Sequence, residues 1–154
     1  MKINWKIKKF EELSTNELYG ILRLRSEIFV VEQNCPYQDI DGKDSKSFHL
    51  QGFNDNNELI AYTRILPAGI SYKEVSIGRV VASNKVRGTG VGKELMKESI
   101  KFIEKKFGNV PIRIGAQCYL KKFYEGLDFE IASEEYLEDN IPHVEMLISR
   151  KSKI

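Results

Sequence analysis

Cysteine is nearly missing: Cys35 and Cys118 are the only two in 154 residues. Two cannot make a disulfide framework, so a reduced chain is expected. Histidine is as scarce, and His49, His143 and the two cysteines share no ligand spacing, so no metal site is expected. No stretch approaches the ~20 uninterrupted apolar residues of a membrane span. Met1-Lys2-Ile3-Asn4-Trp5-Lys6 lacks the apolar core of a secretory signal, which makes the expected location cytoplasmic, with no membrane partner. A dominant charge is also lacking. Lys and Arg number 24 against 22 Asp and Glu, so no overall basic field asks for nucleic acid. Without repeats, low-complexity runs or long linkers, residues 1–154 are expected to form one domain.

What is present is patterned. Lysines recur from Lys93 to Lys106, whereas Glu125 to Glu145 carries eight Asp and Glu and no Lys or Arg. Each is either a solvated face or one side of a ligand site, basic for an anion and acidic for a cation. Ser14 and Glu17 form a capping box, and Leu18, Ile21 and Leu22 follow at helical spacing, so a helix is expected over 14–26. A short second helix holds Phe29–Gln33, ended by Cys35-Pro36-Tyr37. Asp39 to Asp44, polar and containing Gly42, reads as an exposed loop.

The period then becomes two. Residues 48–53 and 59–66 flank the turn-rich Asn54-Asp55-Asn56-Asn57-Glu58, an antiparallel hairpin. Glu74 to Ala82 is a further strand. Val91, Leu95, Met96, Ile100, Ile103 and Phe107 lie on one stripe of a long helix that Gly108 stops. A strand at 112–116, a short helix at 119–124 and closing strands at 129–132 and 144–148 complete the order. The expected class is α/β in the mixed, α+β sense, with a mostly antiparallel central sheet and helices on both faces.

The sharpest local signal is the strand ending at Ala82, then Arg87-Gly88-Thr89-Gly90-Val91-Gly92, then the long helix. Three glycines in five residues let backbone approach a ligand, and the opening turn of a helix offers bare N–H groups and a positive dipole end. Arg87 adds a charge that forks onto phosphate. The spacing fails a Walker loop, because only three residues separate Gly88 from Gly92 where four are needed, and Glu94 follows Lys93. It fails a dinucleotide fingerprint because Lys93 stands where the third glycine belongs. A tight turn without ligand remains the alternative use of the glycines.

Arg87-x-x-Gly90-x-Gly92 resembles the Gln/Arg-x-x-Gly-x-Gly/Ala signature of the GCN5-related N-acetyltransferases (GNAT). Gly78-Arg79-Val80-Val81 before it is similar to that family's core motif. Phe123-Tyr124-Glu125-Gly126-Leu127-Asp128-Phe129 is similar to its second motif, with Asp128 where Gly is usual; Asp tolerates a left-handed backbone, which keeps the turn. Arg25 to Tyr37 with Asp41, Asp44 and His49, and Ile141 to Met146, resemble the ElaA-like subgroup. The resemblance covers nearly the whole chain.

It implies the GNAT acyl-CoA N-acyltransferase fold and acetyl-CoA as co-substrate without a metal. Val80, Val81 and Ala82 would pair with the pantetheine arm, and Arg87, Gly88, Thr89, Gly90, Val91 and Gly92 would hold the diphosphate. The acetyl group would pass directly to an amine on a small molecule or peptide. A lysine-like amine is protonated at neutral pH, so the transfer needs a base, and the departing thiolate needs an acid. The family's tyrosine maps onto Tyr124 as that acid. Glu32, His143 and His49 are the candidate bases. Arg64 and Arg79 are core ion-pair partners or substrate contacts. The acidic stretch, with Glu32, Asp39, Asp41 and Asp44, favours a cationic acceptor such as a polyamine or a lysine side chain. Cys118 is a packing residue or, less simply, an acetyl relay. A CoA-binding sensor or scaffold without turnover is the competing function, and monomer and homodimer are both open.

Overall fold

The computed structural model describes residues 2–150. Ser14 caps α1 (Thr15–Arg25), accepting from the Glu17 amide at 3.0 Å while Glu17 Oε1 accepts from the Ser14 amide at 2.9 Å. The chain does not break after α1. It continues as a wider π-helical run, Ser26–Glu32, where a separate short helix was expected. Such a widening advances the side chains beyond it relative to a regular helix and is frequent at functional sites.

One sheet organises everything else. Strands β1 (Asn4–Lys9), β2 (Phe48–Phe53), β3 (Leu59–Leu66) and β4 (Val75–Ala82) form an antiparallel meander. β5 (Ile112–Gln117) joins β4 in parallel, and β8 (Ile141–Ile148) joins β5 antiparallel. On the outer edge of β8 lie β6 (Glu130–Ile131) and β7 (Tyr136–Glu138). The order is β1-β2-β3-β4-β5-β8-β6, with β7 also on β8. Neighbouring strand residues face opposite ways. Tyr62 and Val81 thus turn to α1, packing with Ile21, Leu24 and Ile28. Thr63 turns to α2 (Val91–Phe107) on the opposite face, its Oγ1 2.7 Å from Ser99 Oγ.

The stripe on α2 is as expected, with Leu95, Met96 and Ile103 fully buried. Full burial of each stabilises by ~1.5–3 kcal/mol. Two strands went unforeseen. β1 alternates lysines with Trp5 and Ile7 on an edge, where the lysines mask the apolar positions. β7 is only three residues long, and its turn uses Asp139-Asn140, both at positive φ, instead of the Asn-Gly or Asp-Gly pair that marks such hairpins.

The segment 39–44 is corrected most. Expected as an exposed loop, it carries Asp39 and Asp44 buried, at 8% and 7% exposure. The physical reason lies in three arginines on three other elements. Arg25 of α1 reaches Asp39 Oδ2 at 3.0 Å and Asp44 Oδ1 at 2.8 Å. Arg64 of β3 forks onto Asp41 with two 2.8 Å bonds. Arg79 of β4 donates to the Asp39 carbonyl at 2.9 Å. Desolvation raises carboxyl pKa values, but these guanidinium partners win and hold Asp41 and Asp44 below the ordinary range. The whole connection from Gln33 to Ser47 is thereby strapped across the sheet.

Candidate active site

β4 and β5 pair only at Val75↔Ile112 and Ser76↔Arg113, then diverge. The cause is visible in β4. Its register against β3 shifts between Tyr62↔Val81 and Arg64↔Gly78, one extra residue on the β4 side, with Arg79 at φ +50. A bulge of this kind bends its strand and re-aims backbone groups. A left-handed Arg is strained, and such strain persists only where surroundings hold it. Here the Asp39 carbonyl, Asp41 and the Tyr37 ring, 5.5 Å from the guanidinium carbon, do so. Arg79 Nε also lies 2.8 Å from Asp39 Oδ1, at an angle too poor for a hydrogen bond.

The divergence opens a cleft of about 940 Å³. Val80, Val81 and Ala82 line one wall, and Ile114 and Gln117 line the other. At its mouth the chain passes through Gly88 (φ +77) and Gly90 (φ +84) into α2. A Cβ at either glycine would meet no atom of the described residues within 4 Å, its own chain neighbours aside. Packing therefore does not demand glycine there; the left-handed backbone does, and it leaves the space in front of the amides open. Gly90 caps α2 without a side-chain bond, and the first helical bond runs from Glu94 N to Gly90 O. The amides of Val91, Gly92 and Lys93 thus lack partners within the helix. This is a cradle for an anion. Thr89 turns aside, its hydroxyl donating to the Val86 carbonyl.

Arg87 stands at the cradle, half exposed, and its guanidinium is forked onto Glu32 at the end of the π-helical run. That hydrogen-bonded pairing lowers the Glu32 pKa and raises that of Arg87. The loop and the α1 side of the cleft are bridged by this one exposed pair.

Tyr124, on α3 (Lys121–Glu125), is 5% exposed and lines the cleft. Its ring meets Phe123 and Phe129 edge-on at 5.1 and 5.8 Å. Asp128 takes φ +72, so the turn is kept, and the Phe129 amide returns to the Tyr124 carbonyl at 3.1 Å. Burial pushes the Tyr124 phenol up, so it is protonated at neutral pH.

The two histidines have separate fates. His49 is fully buried, with Nε2 2.9 Å from the Asp44 carbonyl and Nδ1 2.6 Å from Tyr62 Oη. A carbonyl only accepts, so Nε2 carries the proton and Nδ1 accepts from the tyrosine. Burial lowers the His49 pKa, and it is a satisfied neutral core residue away from the cleft. His143 lines the cleft, with Nδ1 2.7 Å from the Ile141 carbonyl. By the same logic its Nδ1 carries a proton, and in the neutral ring Nε2 presents a lone pair.

The structure thus brings Val80, Val81, Ala82, Arg87, Gly88, Gly90, Val91, Gly92, Tyr124 and His143 to one cleft. Glu32 reaches its mouth only through Arg87. Asp39, Asp41 and Asp44 are neutralised by arginines and supply no free acidic face, contrary to the sequence expectation; the ion-pair reading of Arg64 and Arg79 accounts for both. Cys118 is half-buried at the far end of β5, and burial raises its thiol pKa, away from a reactive thiolate. Tyr72, which lines the cleft, was missed, and Glu138, also on its lining, was expected only as one member of the acidic stretch. No helix among the described residues is long and apolar enough to cross a membrane, and those residues hold no metal-binding cluster.

A sheet split at one parallel pair, unpartnered helix-opening amides at the mouth of the split and a buried tyrosine beside it fit an acyl-CoA-dependent N-acyltransferase. Comparison with known proteins makes the class specific. Residues 14–150 match the acetyltransferase (GNAT) domain. Protein ElaA of Escherichia coli K12 is 43% identical over 146 residues, 94% of this chain and 95% of that protein. Its crystal structure superposes with a TM-score of 0.88, covering 95% of this chain and 99% of the other. An acyl-CoA N-acyltransferase from Pseudomonas aeruginosa superposes at 0.90 with 40% identity, over the same shares. The chain belongs to the GNAT family and is similar throughout to ElaA.

Proposed function

We propose that this protein transfers an acetyl group from acetyl-CoA to a primary amine that carries positive charge. The observation that supports this most is the set of amides of Val91, Gly92 and Lys93, without helix partners, at the mouth of the cleft that the divergence of β4 from β5 opens. That arrangement suits a diphosphate at the cradle with the thioester arm running into the split, along Val80, Val81 and Ala82. Acetyl is favoured over longer acyl groups by the acetyltransferase domain that the chain matches. Tyr124 gives the thiolate its proton. His143 takes the amine proton, in preference to Glu32, whose carboxylate is occupied by Arg87.

Tyr124→Phe keeps the ring and removes the proton. It should lower kcat by about 10–1000-fold with CoA affinity nearly unchanged, the range general acids supply. The assay is thiol release from acetyl-CoA over a panel of amines, alongside propionyl- and butyryl-CoA. Unaltered turnover across the pH range removes Tyr124 from this role, and faster turnover of the longer thioesters removes the acetyl assignment.

A further inference from the structure

The tip of the β7–β8 hairpin places a second charged group against His143. Glu138 and Ile141 pair across the two-residue turn Asp139-Asn140. Glu138 Oε2 then lies 3.5 Å from His143 Nε2. The imidazole is 9% exposed, and no hydrogen bond to Nε2 is made among the described residues, whereas the Glu138 side chain is 60% exposed. In the neutral ring, with the proton on Nδ1, the Nε2 lone pair and a carboxylate face each other with no donor between them. Two acceptors left so close are complementary to a donor with positive charge.

The ring is held for this task. It stacks on Tyr136 at 5.9 Å and 27°. The Tyr136 and Tyr72 hydroxyls meet over Gly115, 3.0 and 2.9 Å from where a Cβ would stand. Gln117 pairs with His143 across β5, and the Asp139 carbonyl accepts from Cys35 Sγ at 3.5 Å on the strap side. Glu145, two residues along β8, is taken by Arg113 at 2.9 Å. Among these neighbours Glu138 is the charge closest to Nε2, with Asp139 next to it at the tip.

We propose that Glu138 is a positioning residue: it draws the acceptor in as an ammonium ion at the hairpin tip and makes His143 Nε2 its base. This rests on the acetyl-transfer reading above. The ammonium gives one proton to Nε2 and becomes a neutral amine. Its lone pair forms the N–C bond to the thioester carbonyl, and the C–S bond breaks with its electron pair on sulfur. The thiolate takes the Tyr124 proton, and the second proton lost from the amine restores the tyrosine. The imidazolium passes its proton to solvent along the exposed Glu138 carboxylate. One ammonium and one thioester thus become one amide, one thiol and one proton.

The test is Glu138→Gln, with Glu138→Asp as the conservative partner, read in turnover. KM for cationic amines should rise about three- to tenfold in Glu138→Gln, with kcat and the KM for acetyl-CoA changing less and Glu138→Asp restoring most of the loss. An unchanged KM for cationic amines in Glu138→Gln, with wild type still consuming acetyl-CoA, overturns this inference alone. Wild type that consumes no acetyl-CoA with any amine overturns the acetyl-transfer reading, and this inference with it.

Discussion

Arginine meets carboxylate at both ends of one cleft, and burial makes the two meetings differ. Under the strap, Arg25 is 0% exposed and shares its donors between Asp39 and Asp44, while Arg64 forks onto Asp41. At the mouth, the Arg87 side chain is 51% exposed and has Glu32 as its carboxylate partner. Removing a buried partner strands an ion in a poor solvent, so the strap pairs are fixed. Water stands ready to replace a partner at the surface, so Arg87 is free to exchange Glu32 for a phosphate. The same side-chain chemistry is scaffold in one place and ligand contact in the other.

The largest effect is expected from breaking the buried end. Arg25→Met leaves Asp39 and Asp44 short of a cation and should cost about 3–5 kcal/mol in urea denaturation. A loss below ~1 kcal/mol would mean that the network is not what holds the strap. Its pH dependence has a definite sign. Asp41 and Asp44 titrate lower in the folded chain than in the unfolded one. Their contribution is therefore whole above the unfolded carboxylate range, near ~3.9, and is lost as pH falls through the lowered native values. Denaturation followed from pH 6 to pH 2 should show that loss, reduced in Asp41→Asn.

Smaller effects belong to the mouth. Arg87→Ala should weaken CoA binding by about tenfold, with the melting temperature unchanged and a reduced salt dependence. Glu32→Gln should do the reverse, tightening CoA by about two- to threefold because the carboxylate no longer competes for Arg87. Calorimetric titration reads both. Weaker CoA binding in Glu32→Gln would turn Glu32 from competitor into helper and erase the contrast between the two ends.

How much of this was legible follows the same division. The glycine loop, the amphipathic α2 and the hairpin at 48–66 depend on neighbours in sequence, and they stand where the pattern put them. The placement of Tyr124 and of the glycine loop on the cleft was readable because their motif is local. The strap was not, because Arg25, Arg64 and Arg79 come from three elements and a polar run reads as exposed until its partners are known. Glu138 was hidden in the same way. Within an acidic stretch it resembles its neighbours, and only the turn at Asp139-Asn140 singles it out against His143. The bulge at Arg79 left no mark in sequence, since a glycine would be the usual occupant of that backbone and an arginine is there instead.

The most direct measurement compares CoA with pantetheine, which has the same thiol arm and no nucleotide diphosphate, by calorimetric titration. Anchoring by the Val91, Gly92 and Lys93 amides predicts one CoA per chain and pantetheine weaker by about a hundredfold or more, about 2.7 kcal/mol. Equal affinities for the two would contradict it.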